Sequence, residues 1–110
     1  MLQPMEVRMI LIAGADATLM RMVSLELFKA GHVPVTVEWM AAPLLALSGF
    51  DRGGDRTFEE ILHPLSERLL ARCDAVLRVE GPSVTADAMV GLARSRGLRV
   101  FFSLQEALDG

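Results

Sequence analysis

The sequence predicts a single doubly wound α/β domain, residues 1–110, in which helices cover both faces of a parallel sheet of about four strands. Runs of apolar, often β-branched residues alternate along the chain with segments whose apolar residues recur at helical spacing. Such alternation produces right-handed crossovers and a three-layer fold. With 110 residues, of which 52% are hydrophobic, the chain has the length and apolar content of one domain. We expect the strand order 2-1-3-4.

The first strand is predicted at Val7–Ala13, a nearly continuous apolar run of the kind that is covered on both faces. A tight turn at residues 14–16 leads to Leu19–Phe28, whose apolar residues have helical spacing. The second strand is predicted at Val33–Val37, which is rich in β-branched residues. Pro34 indicates that this strand lies at an edge of the sheet, because proline cannot donate to a strand ladder.

The segment Glu38–Phe50 carries too much apolar surface, Trp39 and Leu44 included, to be left in water. Two uses stay open: a short helix that folds back on the same core, or a subunit interface between copies of the chain. Residues 51–56 form a polar, glycine-containing loop that could cover a site. Thr57–Glu60 then has the spacing of a capping box, which predicts the start of a helix.

The second half of the chain repeats the alternation. Pro64 should kink or restart the helix in which it lies, because it lacks a backbone donor. The third strand is predicted at Ala75–Val79, the third long helix at Val84–Arg96 and the fourth strand at Leu98–Phe102. Ser103 can cap a last short helical turn. Four strands and four helical segments in this sequence order are typical of flavodoxin- and Rossmann-like folds.

A ligand site in such a sheet lies beyond the carboxyl ends of the strands, at the point where the strand order reverses. With the order 2-1-3-4, this point falls between the first and third strands. The loops there supply the ligand-binding candidates Gly14, Asp16, Gly81, Ser83 and Thr85. The second loop opens a helix, whose free amides favour a phosphate or a carboxylate. Serine and threonine are also ordinary helix caps, so capping alone and capping with ligand contact both stay open.

Arg78 and Glu80 are two residues apart on the third strand, which places them on one face of the sheet. A buried charge needs a partner, so Arg78 should pair with Glu80 or with a neighbouring carboxylate, or else recognise an anionic ligand. Arg78 is therefore a further ligand-binding candidate.

Several kinds of site are not supported by the sequence. There is neither a G-x-G-x-x-G nor a G-x-x-x-x-G-K-[ST] pattern, which excludes a dinucleotide or P-loop site. His32 and His63 have no ligand-like spacing, and no serine has a G-x-S-x-G setting, so we expect no metal, no cofactor and no nucleophilic triad.

The overall composition limits the partners and the compartment. The formal net charge of -3 and the pI near 5.3 argue against a nucleic-acid partner. The chain has no apolar span of the length that a membrane helix needs. The single cysteine, Cys73, precedes an apolar run where burial is usual, and this favours a reducing, cytoplasmic location.

Two stretches, Cys73–Leu77 and Ala86–Phe101, resemble the nucleoside 2-deoxyribosyltransferase-like proteins. The resemblance extends over most of the chain and includes Ala30–Val35. It implies a nucleoside or nucleotide bound at the carboxyl edge of a parallel sheet, cleavage or transfer of the N-glycosidic bond, and assembly as a homodimer or larger oligomer.

The resemblance also implies a carboxylate nucleophile, a second carboxylate and a loop serine. Ser83 matches the serine. The nucleophile position falls on Met89, or on Ala88 with a shift of one residue, and the second acid falls on Ser66. Asp87 is the nearest acid and is therefore the candidate catalytic residue.

Three explanations of this departure compete. The chain binds a nucleotide-like ligand without turning it over, which is the explanation we favour. Alternatively, a weak N-glycosidase or transferase site is rebuilt from Asp16, Asp87 and Glu80. In the third explanation, the chain is a homo-oligomeric binding or scaffold protein that uses the Trp39–Phe50 region as its contact.

Overall fold

The computed structural model describes residues 6–48 and 58–110. In chain order its elements are β1 (Met9–Ala13), α1 (Ala17–Lys29), β2 (Val33–Val35), α2 (Val37–Ser48), a π-helical turn (Phe58–Leu62), α3 (His63–Leu70), β3 (Ala75–Arg78), α4 (Val84–Ser95), β4 (Arg99–Phe101) and α5 (Leu104–Asp109). The predicted polar loop at residues 51–56, the Thr57 half of the capping box and the end of the Glu38–Phe50 segment lie outside the described residues.

The four strands form one parallel sheet in the order β2-β1-β3-β4, which confirms the predicted order 2-1-3-4. Strand β1 is central and aligns Ile10 with Pro34 on one side and with Ala75 on the other. Strand β2 is an edge strand, as Pro34 predicts. The doubly wound α/β prediction is therefore correct at the level of strand order and direction.

The second strand is shorter than the sequence predicts. It ends at Val35, and α2 begins at Val37. The Thr36 hydroxyl accepts a hydrogen bond from the Trp39 amide at 3.3 Å, which is the geometry of a helix cap. Local β-propensity favours a strand through Val37, but this capping bond starts a helix instead. The prediction of a strand as far as Val37 is therefore wrong.

Two apolar cores lie on opposite faces of the sheet, because successive side chains of a strand point to opposite sides. One core joins Ile10, Ile12 and Leu77 of the sheet to α1 and α5. The other joins Leu11 and Val76 to α2, α3 and α4. All five of these sheet residues are at most 1% exposed, so both faces are covered by helices, as the three-layer prediction requires.

The starts of the helices are set by side chains that the sequence indicates. Ser103 accepts the Glu106 amide at 3.1 Å and caps α5. Pro64 lies in the first turn of α3, directly after the π-helical turn, so the helix restarts there as predicted. Within residues 6–48 and 58–110, none of the helices combines the length and apolar character that crossing a bilayer requires.

Candidate functional site

The carboxyl ends of β1 and β3 meet at the centre of one edge of the sheet. Ala13 pairs with Arg78 in the strand register, and the Val79 amide donates to the Ala13 carbonyl at 2.8 Å. The next residue of the first loop, Gly14, faces Val79 so closely that an added Cβ would lie 3.0 Å from the Val79 Cβ. Gly14 therefore lets the two predicted loops approach each other.

Arg78 holds the second loop in place. Its Nε donates to Asp87 Oδ1 at 3.1 Å, and its Nη2 lies 3.0 Å from the same oxygen. Its Nη1 donates to the Val79 carbonyl, and its Nη2 also donates to the Gly81 carbonyl at 2.8 Å. The Arg78 side chain is only 10% exposed. One buried guanidinium thus links the end of β3, the loop after it and the first turns of α4.

The partner of Arg78 is one of those that the sequence allowed. Pairing with a neighbouring carboxylate occurs, and that carboxylate is Asp87. Glu80 lies beyond the end of β3 and is exposed, so it does not share a strand face with Arg78. The predicted Arg78–Glu80 alignment is therefore wrong, because the strand ends before Glu80.

The ion pair bears directly on the candidate catalytic acid. The Asp87 side chain is 72% exposed, but the oxygen Oδ1 is held by the Arg78 guanidinium on two of its nitrogens. A general base or nucleophile must have its carboxylate available to a reacting atom, and the charge-assisted contact of two Arg78 nitrogens with Oδ1 opposes that availability. The pair therefore makes Asp87 and Arg78 mutual structural partners.

Among the other candidate residues of the two loops, Asp16 and Ser83 cap helices and Gly81 allows a turn of the backbone. Asp16 caps α1 by accepting the Leu19 amide at 3.0 Å, and Ser83 caps α4 by accepting the Ala86 amide at 3.1 Å. Gly81 has a φ of +112°, a conformation that side chains disfavour. Thr85 is exposed in the first turn of α4. The capping role of both N-cap residues is thus observed.

Of the positions at which the resemblance implies carboxylates, Met89 and Ser66 lie in the core, whereas Ala88, the alternative nucleophile position, is exposed. Met89 is 5% exposed and belongs to the apolar cluster under α4. Ser66 is 4% exposed and donates its hydroxyl hydrogen to the Leu62 carbonyl at 2.7 Å. Neither side chain has its surface open to a ligand in solvent, so both residues contribute to packing.

A crevice of about 190 Å³ lies beside Gly14, between the loop after β1 and the start of α2. The lining includes the small residues Gly14, Ala15 and Ala17 and the half-exposed side chain of Trp39. Arg21 and Glu38 add one charge of each sign to the lining.

Sequence reasoning missed the contribution of α2 to this edge. The sequence pattern indicates that Trp39 is apolar surface for packing or assembly and that Thr36 is part of a strand. The order of the elements contained a usable signal, since every helix that follows a parallel strand starts at the carboxyl edge. The residues just after the second strand therefore belong with the site candidates.

A second cavity, of about 320 Å³, lies between α1 and α5 on the other side of the first loop. Its walls are mainly apolar side chains, and Glu26, Glu80 and Ser103 are its polar members. Of the three acids that the sequence predicts near this edge of the sheet, Asp16, Glu80 and Asp87, Glu80 is the one that lines this cavity. Neither Asp16 nor Asp87 lines either of the two cavities.

Cys73 lies directly before β3, at the opposite end of the strand from these loops. It is 6% exposed, and burial together with the adjacent Asp74 charge raises the pKa of its thiol to about 11. Such a thiol stays protonated at neutral pH and has little nucleophilic character. Across the described ranges, His, Cys, Asp and Glu side chains form no group of three that could hold a metal ion.

Comparison with protein-family models and with curated proteins returned no match for this sequence. Function is therefore argued from the residues of the sheet edge alone.

Proposed function

We propose that this domain binds a nucleoside at the carboxyl edge of its sheet and leaves the N-glycosidic bond intact. The observation that carries the proposal is the crevice beside Gly14, which is lined by a half-exposed indole and by small residues of the β1–α1 turn. Base stacking on an aromatic side chain stabilises binding by roughly 1–3 kcal/mol per base. Trp39 supplies that surface for the base.

The charges around the crevice favour a nucleoside over its phosphate ester. The N-terminus of α1 attracts anions in principle, but Asp16 already places a carboxylate there and accepts the Leu19 amide. Glu38 is the carboxylate of the lining and Arg21 its guanidinium, and the Asp16 carboxylate lies in the chain between the lining residues Ala15 and Ala17. The hydroxyl groups of a sugar are suitable donors to these acids, whereas a phosphate would be repelled by them.

We expect the N-glycosidic bond to stay intact because of how the carboxylates of this edge are engaged. The reaction needs a free carboxylate at the anomeric carbon, and the Asp87 carboxylate is held by Arg78 at 3.0 and 3.1 Å. The positions that the resemblance assigns to the two carboxylates carry none: Met89 and Ser66 are buried, and Ala88, the alternative to Met89, is exposed but cannot act as a nucleophile. Recognition without turnover follows from this arrangement.

Titration of deoxyadenosine and deoxyadenosine monophosphate by calorimetry tests the proposal. We expect the nucleoside to bind and the monophosphate to bind more weakly. Trp39→Ala should weaken nucleoside binding about tenfold, because the stacking surface is lost, while Trp39→Phe retains most of the affinity. No heat with either compound, or an unchanged affinity in Trp39→Ala, would contradict the proposed crevice.

Asp16→Asn separates the role of charge from the role of the helix cap, since asparagine caps a helix about as well as aspartate. The variant should bind the monophosphate about two- to fivefold more tightly than the parent chain, because a carboxylate at a helix N-terminus contributes roughly 0.3–1 kcal/mol. An unchanged ratio between nucleoside and monophosphate would show that Asp16 does not set this preference.

Assembly through α2 is the second candidate function, and exposed apolar side chains favour it. Trp39, Met40 and Leu44 are 51%, 47% and 45% exposed, while Ala41 on the same helix is buried at 1%. The helix therefore packs on the core by one side and presents apolar groups on another. This surface is the α2 part of the contact that the sequence predicts for a homo-oligomer.

Light scattering tests that assembly. A homodimer would give about twice the chain mass of 12.0 kDa, and Leu44→Glu should return the mass to that of one chain. Leu44 does not line the crevice, so this variant should still bind deoxyadenosine. A parent protein that runs as a monomer at high concentration would contradict the assembly candidate and leave the nucleoside proposal standing.

A further inference from the structure

The cavity between α1 and α5 is a second site that is separate from the Trp39 crevice. Its volume of about 320 Å³ falls in the range of small-molecule sites, which is roughly 300–1,000 Å³. Leu19 and Val23 of α1 form one wall, the sheet residues Leu77 and Val79 form the floor, and Leu104 of α5 contributes a further wall. A ligand with an apolar body would be well accommodated there.

The cavity exists because the two helices that border it differ in length. Helix α1 has 13 residues and α5 has six, so α5 covers only part of the surface beside α1. Ala107 of α5 is 1% exposed and packs against the sheet. Met22 and Phe102, which also line the cavity, are 61% and 50% exposed and therefore lie where it opens to solvent.

The charged groups of the cavity are all of one sign. Among the described residues that line it, Glu26 and Glu80 are the ionisable ones. Glu26 has an exposed contact with Lys29 at 3.7 Å, a kind of pair that contributes little. The Arg94 guanidinium lies 5.6 Å from the centre of the Phe102 ring but does not line the cavity.

Glu80 is the better placed of the two acids to receive a ligand. It follows the carboxyl end of β3, and within the described part of the chain its side chain has neither an ion pair nor a hydrogen bond. The Ser103 hydroxyl, which also lines the cavity, accepts the Glu106 amide at 3.1 Å. The polar end of the cavity thus presents free negative charge to an incoming group.

We propose that this cavity binds a small amphiphilic amine, with the apolar chain or ring between α1 and α5 and the ammonium group at Glu80. The apolar walls supply affinity through burial, and the carboxylates select a cation over a neutral or anionic head group. A fatty acid of the same length would place its carboxylate beside Glu26 and Glu80 and would be rejected by like charge.

Hexylamine, hexanol and hexanoate provide a matched set of probes, because they share one apolar chain and differ in head group. Binding is followed at neutral pH by amide chemical shifts in an ¹⁵N-labelled full-length chain. We expect hexylamine to bind most tightly, with the largest shifts at Leu19, Val23 and Leu104. Glu80→Gln should weaken hexylamine about tenfold, since a hydrogen bond to a charged group contributes roughly 1.5–3 kcal/mol.

Glu6→Gln is the matched control, because it removes the same charge from a side chain that is 81% exposed before β1, at the other end of the sheet. Its hexylamine affinity should equal that of the parent chain. Equal binding of hexylamine and hexanol would overturn the assignment, and so would an equal loss of affinity in Glu6→Gln and Glu80→Gln. Shifts confined to residues outside the α1–α5 cavity would overturn it as well.

Discussion

Replacing Arg78 by methionine should lower the free energy of unfolding by about 2–4 kcal/mol, the largest effect expected of a single polar substitution in this chain. Methionine fills a similar length of space but donates no hydrogen bond. The Val79 and Gly81 carbonyls and the Asp87 carboxylate would each lose their donor. Urea unfolding followed by circular dichroism measures the difference.

Asp87→Asn is the comparison that shows which contacts of Arg78 matter. The Asp87 side chain is 72% exposed, and asparagine keeps an oxygen that can accept from the guanidinium. The loss in this variant should stay below about 1 kcal/mol, as for other exposed pairs. Equal losses in the two variants would mean that the ion pair, and not the loop carbonyls, accounts for the role of Arg78.

Gly14→Ala should destabilise the fold by about 1–3 kcal/mol. The added methyl group would lie 3.0 Å from the Val79 Cβ, and that atom is fixed by the backbone at the end of β3. The two loops of the sheet edge would have to separate to admit it. The same separation would widen the Trp39 crevice, so deoxyadenosine affinity should fall together with stability in thermal and calorimetric measurements.

Two variants control for the general effect of replacing glycine. Gly91 lies within α4, and an added Cβ there meets nothing within 4 Å, so Gly91→Ala should stabilise the chain by about 0.5–1 kcal/mol. Val79→Gly removes the Cβ that Gly14→Ala would contact, and the double variant should lose less than the sum of the two single losses. A neutral Gly14→Ala would show that the loops can move apart without cost.

The sheet could be predicted because its signals are local. In a small domain, the apolar run that contains β1 is accommodated as a buried strand. Pro34 excludes a central position for β2. Ser83 shows its capping role by residue type and position alone, whereas the cap that Asp16 forms on α1 is seen only in the structure. Strand order followed from the alternation of elements together with the rules for parallel crossovers.

The contacts of the sheet edge could not be predicted, because they depend on backbone paths that the sequence leaves open. The bond from Arg78 to Asp87 spans a strand end, a loop with Gly81 at a φ of +112° and one turn of helix. The helix that starts at Val37 depends on one hydroxyl bond from Thr36, which competes with a favourable strand propensity. The resemblance to the nucleoside 2-deoxyribosyltransferase-like proteins implies acids at positions where this chain has the buried residues Met89 and Ser66.

The central claim is that a nucleoside is bound without being cleaved. The most direct measurement is to incubate deoxyadenosine with a high concentration of the protein, record binding by calorimetry, and then separate free adenine by chromatography. We expect a binding isotherm and no adenine above the level of a protein-free control. Adenine released by the parent chain and abolished in Asp87→Asn would contradict it, because Asp87 would then act on the ligand and not only on Arg78.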